Sequence, residues 1–254
     1  MKLINYSRQS INKSDEKNVL KVLRSDFLTT GPVGVYFEKK ISKFLNINYS
    51  LAVQSGTAAI HLALKSLGCK ANQNVIVPNY TCVSNISAVS QCGAIPIIVE
   101  IERDTLGIDL KQLKIAIKKY KPKILQLVHV YGCPAKNTME IVKVCKKNKI
   151  KLIEDFSESL GAELGNKKIG NFGDISICSI RSEKMIGVGE GGVVLTKNKA
   201  LFEKIKKLGS RNSPFRRSKD PYWKKYFSSG EGYNYLLPHL LGSMARAQIE
   251  RFQK

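Results

Sequence analysis

The sequence predicts an α/β domain with a largely parallel sheet and helices on its faces. Three observations carry that expectation. From residue 51 onward, short apolar runs (LAVQ, VIVP, IPIIVE, ILQLVHV, IKLIE, ISICSI and VVLT) alternate with helical stretches, which is the rhythm of βαβ units. ISICSI and VVLT are apolar and β-branched in the manner of strands buried on both faces. The 254 residues suffice for one large domain with a substantial core, and they contain no internal repeat or low-complexity linker.

Taken in order, Asn12 to Arg24 sets Val19, Leu20, Val22 and Leu23 at helical spacing, with Asp15 and Glu16 in the first turn where the helix dipole favours acids. Thr29-Thr30-Gly31-Pro32 breaks the chain. Phe37, Ile41, Phe44 and Leu45 then form the apolar stripe of a second helix. Between the strand runs, helices are expected near Thr57 to Leu67, Cys82 to Cys92, Leu110 to Tyr120 and Met139 to Lys147.

Composition narrows the function. The six cysteines include no CxxC pair and sit mostly in apolar segments, so they read as reduced core residues without disulfides, zinc or another metal. The formal charge of +22 raises the question of nucleic acid. Most lysines, however, recur singly on the outer faces of expected helices, as in LKQLKIAIKKYKPK, which is the pattern of a solvated face. The denser patch, RNSPFRRSKDPYWKK with Arg216 and Arg217, reads either as a loop that meets a phosphorylated small molecule or as an ordinary charged loop. No apolar run approaches the roughly 20 residues of a membrane span, and MKLINYSRQS lacks the apolar stretch of a signal peptide. The expectation is a cytoplasmic protein with neither nucleic acid nor membrane as a partner.

The chemistry centres on Lys184, placed between ISICSI and a glycine-rich turn containing Gly187, Gly189, Gly191 and Gly192. Those glycines allow positive φ and close backbone approach. GVGEGG matches GxGxxG in form, but it runs into a strand rather than opening a helix, which excludes a dinucleotide fingerprint. Most lysines are solvated; one held at the end of a buried strand is a candidate for Schiff-base chemistry, because desolvation favours the free amine. In parallel sheets, ligands bind beyond the carboxyl ends of the strands. After LAVQ comes Ser55-Gly56-Thr57-Ala58-Ala59, either a phosphate cradle at a helix start or a plain N-cap. After IKLIE comes Asp155, a carboxylate whose burial calls for a cation or a pyridinium nitrogen, with Glu158 three residues on. After ISIC comes the Ser179 hydroxyl. A lysine, a carboxylate for a ring nitrogen and a phosphate cradle together describe a pyridoxal 5'-phosphate site.

Along nearly its whole length the chain resembles the DegT/DnrJ/EryC1/StrS family of nucleotide-sugar aminotransferases. The resemblance is carried, in family order, by TTGPVGVYFEKK, AVQSGTAAIHLALKSLG, VIVPNYTCVSN, VHVYGCP, IEDFSESLGA, SIRSEK, GVGEGGVVLT and EGYNYLLPHLLGSMARAQIE. It implies the large domain of a fold-type I pyridoxal-phosphate transferase, with a mostly parallel, mixed sheet flanked by helices. It further implies that Lys184 bonds the cofactor and later moves a proton, and that Asp155 holds the ring nitrogen protonated. Gly56, Thr57, Ala58 and Ser179 bind the phosphate, and Asn234 reaches the cofactor of a neighbouring subunit, so that a homodimer shares its sites. Glu158 falls beside the phenolic oxygen where many relatives have glutamine. Cys82 falls where many have an aromatic residue stacked on the ring; either its thiol packs there or Tyr80 substitutes. Arg181 either binds a substrate carboxylate or diphosphate, or pairs with Glu183.

The resemblance places residues 1–236 in the cofactor-binding domain, and 237–254 in a helix that in relatives leads to a small C-terminal domain absent from this sequence. The implied reaction moves an amino group, with glutamate as the expected donor, to a keto-deoxysugar on a nucleotide whose diphosphate Arg216 and Arg217 suit. A regulatory cofactor-binding protein, and a dehydratase of the same family, are the alternatives; dehydratases replace the lysine that is retained here.

Overall fold

The structure, a computed structural model, describes residues 4–5, 7–211 and 230–252. Arg216 and Arg217 lie outside the described residues. Two helices open the chain, α1 (Lys13–Leu23) and α2 (Pro32–Leu45). Asn12 caps α1 in a reciprocal box with Asp15, and Pro32 starts α2 where its missing N–H costs nothing. The alternating part follows as β1 (Tyr49–Val53), α3 (Gly56–Ser66), β2 (Asn74–Pro78), α4 (Val83–Gln91), β3 (Ile95–Val99), α5 (Leu110–Tyr120), β4 (Ile124–Val128), α6 (Thr138–Lys147) and β5 (Lys151–Asp155). A two-residue hairpin, β6 (Glu163–Leu164) and β7 (Lys167–Lys168), precedes β8 (Ile175–Ser179), β9 (Gly192–Thr196), α7 (Lys199–Gly209) and α8 (His239–Phe252).

Seven strands form one sheet in the order β1-β9-β8-β5-β4-β2-β3. β8, β5, β4, β2 and β3 run parallel, and β9 runs antiparallel to both its neighbours. The predicted α/β class and mostly parallel, mixed sheet are therefore what the chain adopts. Side chains alternate across the sheet with period 2. Leu51, Val53, Val75, Val77, Ile175, Ile177 and Val194 face one core with α3, α4 and α7, while Ala52, Cys178, Val193 and Leu195 face a second with α2 and α8. Ile76, Leu125, Leu127 and Leu152 meet α5 and α6 in a third.

Three expectations change. α7 and the β6/β7 hairpin are additional elements. All six cysteines are free thiols as expected, but Cys82 and Cys133 are exposed, so only four belong to the core. The link from β8 to β9 is a folded-back loop rather than a tight turn. Ile180 N donates to Gly191 O at 3.0 Å and Ser182 N to Gly189 O at 3.0 Å, so the antiparallel pairing extends beyond the strands. Of its glycines, Gly189 has positive φ (97°). Gly192 serves close approach instead: a Cβ there would lie 2.4 Å from Ser55 O.

Candidate active site

Because β2, β4, β5 and β8 are parallel, their carboxyl ends share one edge, and the residues after each strand converge there on a pocket of about 240 Å³. Gly56, Thr57, Cys82, Asp155, Glu158, Ser179, Arg181 and Lys184 all line it, so most of the predicted site is brought together.

One wall is the start of α3. Ser55 caps the helix through its hydroxyl, which accepts from Ala58 N at 3.0 Å. That bond uses the Ala58 N–H, and Ala58 is not among the residues that line the pocket. The amides of Gly56 and Thr57, first in the helix, have no intrahelical acceptor. The SGTAA turn thus combines a serine cap with two amides that the helix leaves available. Ser179 closes the cradle: a Cβ added at Gly56 would sit 2.9 Å from Ser179 Cβ, so only glycine leaves this space open. Thr57 Oγ1 donates to Ser84 Oγ at 2.9 Å, and Ser157 Oγ accepts from Ser179 N at 2.8 Å. Neither Ser84 nor Ser157 stood out in the sequence.

Asp155 ends β5 and is 4% exposed. Ser157 N donates to its Oδ1 at 3.0 Å and Asn85 Nδ2 to its Oδ2 at 3.1 Å. Burial pushes this carboxyl above the usual carboxylate range, against the pull of those hydrogen bonds and of the Lys184 charge. A carboxyl whose pKa is higher folded than unfolded binds its proton more tightly when folded. Ligand-free protein is therefore expected to lose stability as pH rises through that raised value, the contribution being fully present below the unfolded one. Thermal melts across the acidic to neutral range check this against Asp155→Asn, which should flatten this part of the profile. Parallel profiles for the two proteins would contradict the assignment.

Lys184 stands in the β8–β9 loop beyond the strand end, its side chain 19% exposed, with Nζ 3.0 Å from Glu158 Oε1. It is thus a lysine at the rim of the buried strands, paired with Glu158. Glu158 is itself held, since its Oε2 accepts from Tyr131 N at 3.1 Å. Arg181 pairs with Glu183 as one sequence reading had it, at 3.3 Å, and also with Glu190 at 3.2 Å. Of the two candidates for the ring-stacking position, Cys82 lines the pocket, while Tyr80 lies outside the lining with its hydroxyl 2.6 Å from that of Tyr131. Asn234 is exposed and outside this pocket's lining, on a segment bridged to Ser210. His129 also lines the pocket. Its Nδ1 accepts from Ala135 N at 2.9 Å, which puts the ring proton on Nε2, 3.3 Å from Glu154 Oε1. Among the described residues no group of three or more His, Cys, Asp or Glu is placed to hold a metal ion, and no helix is long and apolar enough to cross a membrane.

A two-amide cradle walled by a serine, a buried carboxyl seeking a cation and a lysine at the same pocket match the phosphate, ring nitrogen and aldehyde of pyridoxal phosphate in turn. Fold and pocket together define the large domain of a fold-type I pyridoxal-phosphate enzyme. The chain belongs to the DegT/DnrJ/EryC1/StrS aminotransferase family, whose sequence pattern matches residues 9–254. It is 34% identical over 218 residues to the GDP-perosamine synthase of Vibrio cholerae, covering 86% of this chain and 57% of that protein. Among solved structures, it is similar to a Helicobacter pylori aminotransferase involved in the biosynthesis of pseudoaminic acid. The TM-score there is 0.86 and the identity 27%, with 98% of this chain and 66% of that one covered. It is also similar to an Escherichia coli GDP-4-keto-6-deoxy-D-mannose-3-dehydratase with bound hydrated pyridoxal phosphate, at a TM-score of 0.89 and 25% identity over 99% of this chain and 69% of that one. The chain thus spans between 57% and 69% of the length of these relatives.

Proposed function

We propose that this chain is the cofactor-binding part of a pyridoxal-phosphate-dependent aminotransferase that moves an amino group from an amino acid, L-glutamate, to a keto-deoxysugar carried on a nucleotide, for amino-sugar and glycan synthesis. The observation that carries this reading is Lys184 Nζ at the same pocket as the buried Asp155 carboxyl and the free amides of α3. Bound there, pyridoxal phosphate supplies an electron sink for the carbon that gains or loses the amino group. Gly56 N, Thr57 N and Ser179 hold its phosphate, and Asp155 offers a negative partner to its ring nitrogen. Glu158 holds Lys184 Nζ at the pocket. Lys184 then moves the proton that each half of an amino transfer requires. Arg181 is already neutralised by Glu183 and Glu190, so it must leave them to grip a substrate anion. A homodimer with Asn234 reaching across to the partner's phosphate, and a domain limit near residue 236, belong to the same proposal, as does a cytoplasmic setting.

The second reading is dehydration of the sugar, because a dehydratase shares the fold. Retention of Lys184 favours transfer. The test is to load the full-length protein with pyridoxal phosphate and follow its visible absorbance while adding glutamate, then a nucleotide-linked keto-sugar. Bleaching by glutamate and recovery with the keto-sugar are expected. Loss of a sugar hydroxyl without net nitrogen transfer would select the dehydratase, and a loaded protein inert to every amino donor would favour a regulatory role.

A further inference from the structure

Two neutral donors hold the Asp155 carboxylate, and one of them, Asn85, had no visible role in the sequence. Asn85 lies in the first turn of α4, lines the pocket and is 1% exposed. Its Nδ2 donates to Asp155 Oδ2 at 3.1 Å and to Thr81 Oγ1 at 3.0 Å, so both its amide protons are committed. The reverse orientation would set Asn85 Oδ1 against a carboxylate. The orientation adopted leaves Oδ1 buried with no donor among the described residues. Buried acceptors are normally satisfied. Gln126 Oε1 is orphaned in the same way, and what sets Asn85 apart is that it lines the pocket and donates to Asp155. The backbone beneath it is fixed too, since Gln126 Nε2 donates to Asn85 O at 3.1 Å from the fully buried middle of β4.

We infer that Asn85 is the positioning residue that sets the charge and direction of Asp155, holding one carboxylate oxygen so that the group presents itself to a cationic ring nitrogen in the pocket. The inference rests on the proposed role of Asp155. Lys184, Glu158 and His129 share the pocket with that carboxyl, and the Cys178 thiol of β8 lies close enough to feel its charge. Asn85 adds a donor without adding a charge. A lysine or arginine in its place would neutralise Asp155 permanently and compete with the ligand.

The experiment loads the wild type, Asn85→Ala, Asp155→Asn and Gln126→Leu with pyridoxal phosphate. It measures cofactor affinity by equilibrium dialysis and the pH dependence of the bound cofactor's absorbance. Asn85→Ala is expected to weaken binding about tenfold, the scale of one lost hydrogen bond to a charged group. It should also displace the pH profile in the same direction as Asp155→Asn. Gln126→Leu, which touches only the backbone support, should lower the melting temperature and leave both readouts near wild type. If Asn85→Ala does not fold, Asn85→Ser, a shorter donor, is expected to move both readouts the same way by less. Wild-type affinity and pH profile in the asparagine variants, with both displaced in Asp155→Asn, would overturn the role of Asn85. Asp155→Asn indistinguishable from wild type would instead overturn the reading of Asp155 on which it rests.

Discussion

Lys184→Ala is expected to fold like the wild type, to lose the visible absorbance band of the cofactor-loaded protein, and to lose amino transfer by at least about 10²–10⁴-fold, the span that a positioned proton-transfer group contributes. The fold should survive because the loop does not depend on this side chain. Lys184 N donates to Arg181 O at 2.9 Å, a bond that alanine keeps. The loop is pinned on either side by Ile180, Ile186 and Val188, all buried in the core under α2 and α8. What is lost is the ion pair with Glu158, whose partners are 19% and 29% exposed; partly solvated pairs of this kind contribute at most about 1 kcal/mol. Chemical denaturation, an absorbance spectrum and a rate assay of the full-length protein together check the claim. A Lys184→Ala protein that keeps the band, or turns over within about tenfold of wild type, would remove Lys184 from the chemistry and with it the aminotransferase reading.

Leu110 to Tyr120 was legible end to end because its apolar face is separated cleanly from its lysines and Asp109 caps it, the side chain accepting from Gln112 N at 2.7 Å. α7 has the same construction, with Asn198 as cap and Leu201, Phe202, Ile205 and Leu208 facing the core, yet four lysines between 199 and 207 dilute its apolar signal. The two-residue strands β6 and β7 are too short to show any period. Strand order was hidden for another reason: β1 and β9 pair between Tyr49 and Thr196 at one end and Val53 and Gly192 at the other, far apart in the chain, and nothing local to either announces it. Asp155 and Lys184 stood out in the sequence because their chemistry is costly without a partner, and both line the pocket. The site was not legible at Ser84, Asn85 and Ser157, because small polar residues at helix starts and loops already have an ordinary explanation in capping. Their role emerges only when parallel pairing brings the ends of β2, β5 and β8 to one edge.

Glu154→Ala is expected to be the most destabilising single change near the site, lowering stability by about 3–5 kcal/mol, because several donors lose their acceptor together at about 1–3 kcal/mol each. Glu154 precedes Asp155 on β5 and points to the opposite face of the sheet, where it is fully buried. Its two oxygens accept from Gly170 N at 2.6 Å, Phe172 N at 2.6 Å and Gly173 N at 2.9 Å, and Oε1 lies 3.3 Å from His129 Nε2. One carboxylate thus ties the loop leading into β8 to the end of β4. Alanine leaves these donors without their acceptor, at a cost of about 1–3 kcal/mol for each that finds no other partner. Glu154→Gln keeps the volume and one acceptor oxygen but turns an amide toward backbone N–H groups, so an intermediate loss is expected. Against a total stability of about 5–15 kcal/mol for a domain, the alanine change consumes a large fraction. The denaturant midpoint should fall steeply, and a shift worth less than about 1 kcal/mol would show that the loop is held by its other contacts. Function should follow stability through a specific route. His129 lines the pocket and is oriented at its two ring nitrogens by Ala135 and Glu154, so cofactor affinity should fall in Glu154→Gln even at temperatures where the protein remains folded. Neighbouring acids on one strand would then divide the work by the parity of the sheet: Glu154 secures the scaffold from below, and Asp155 presents its charge to the pocket above.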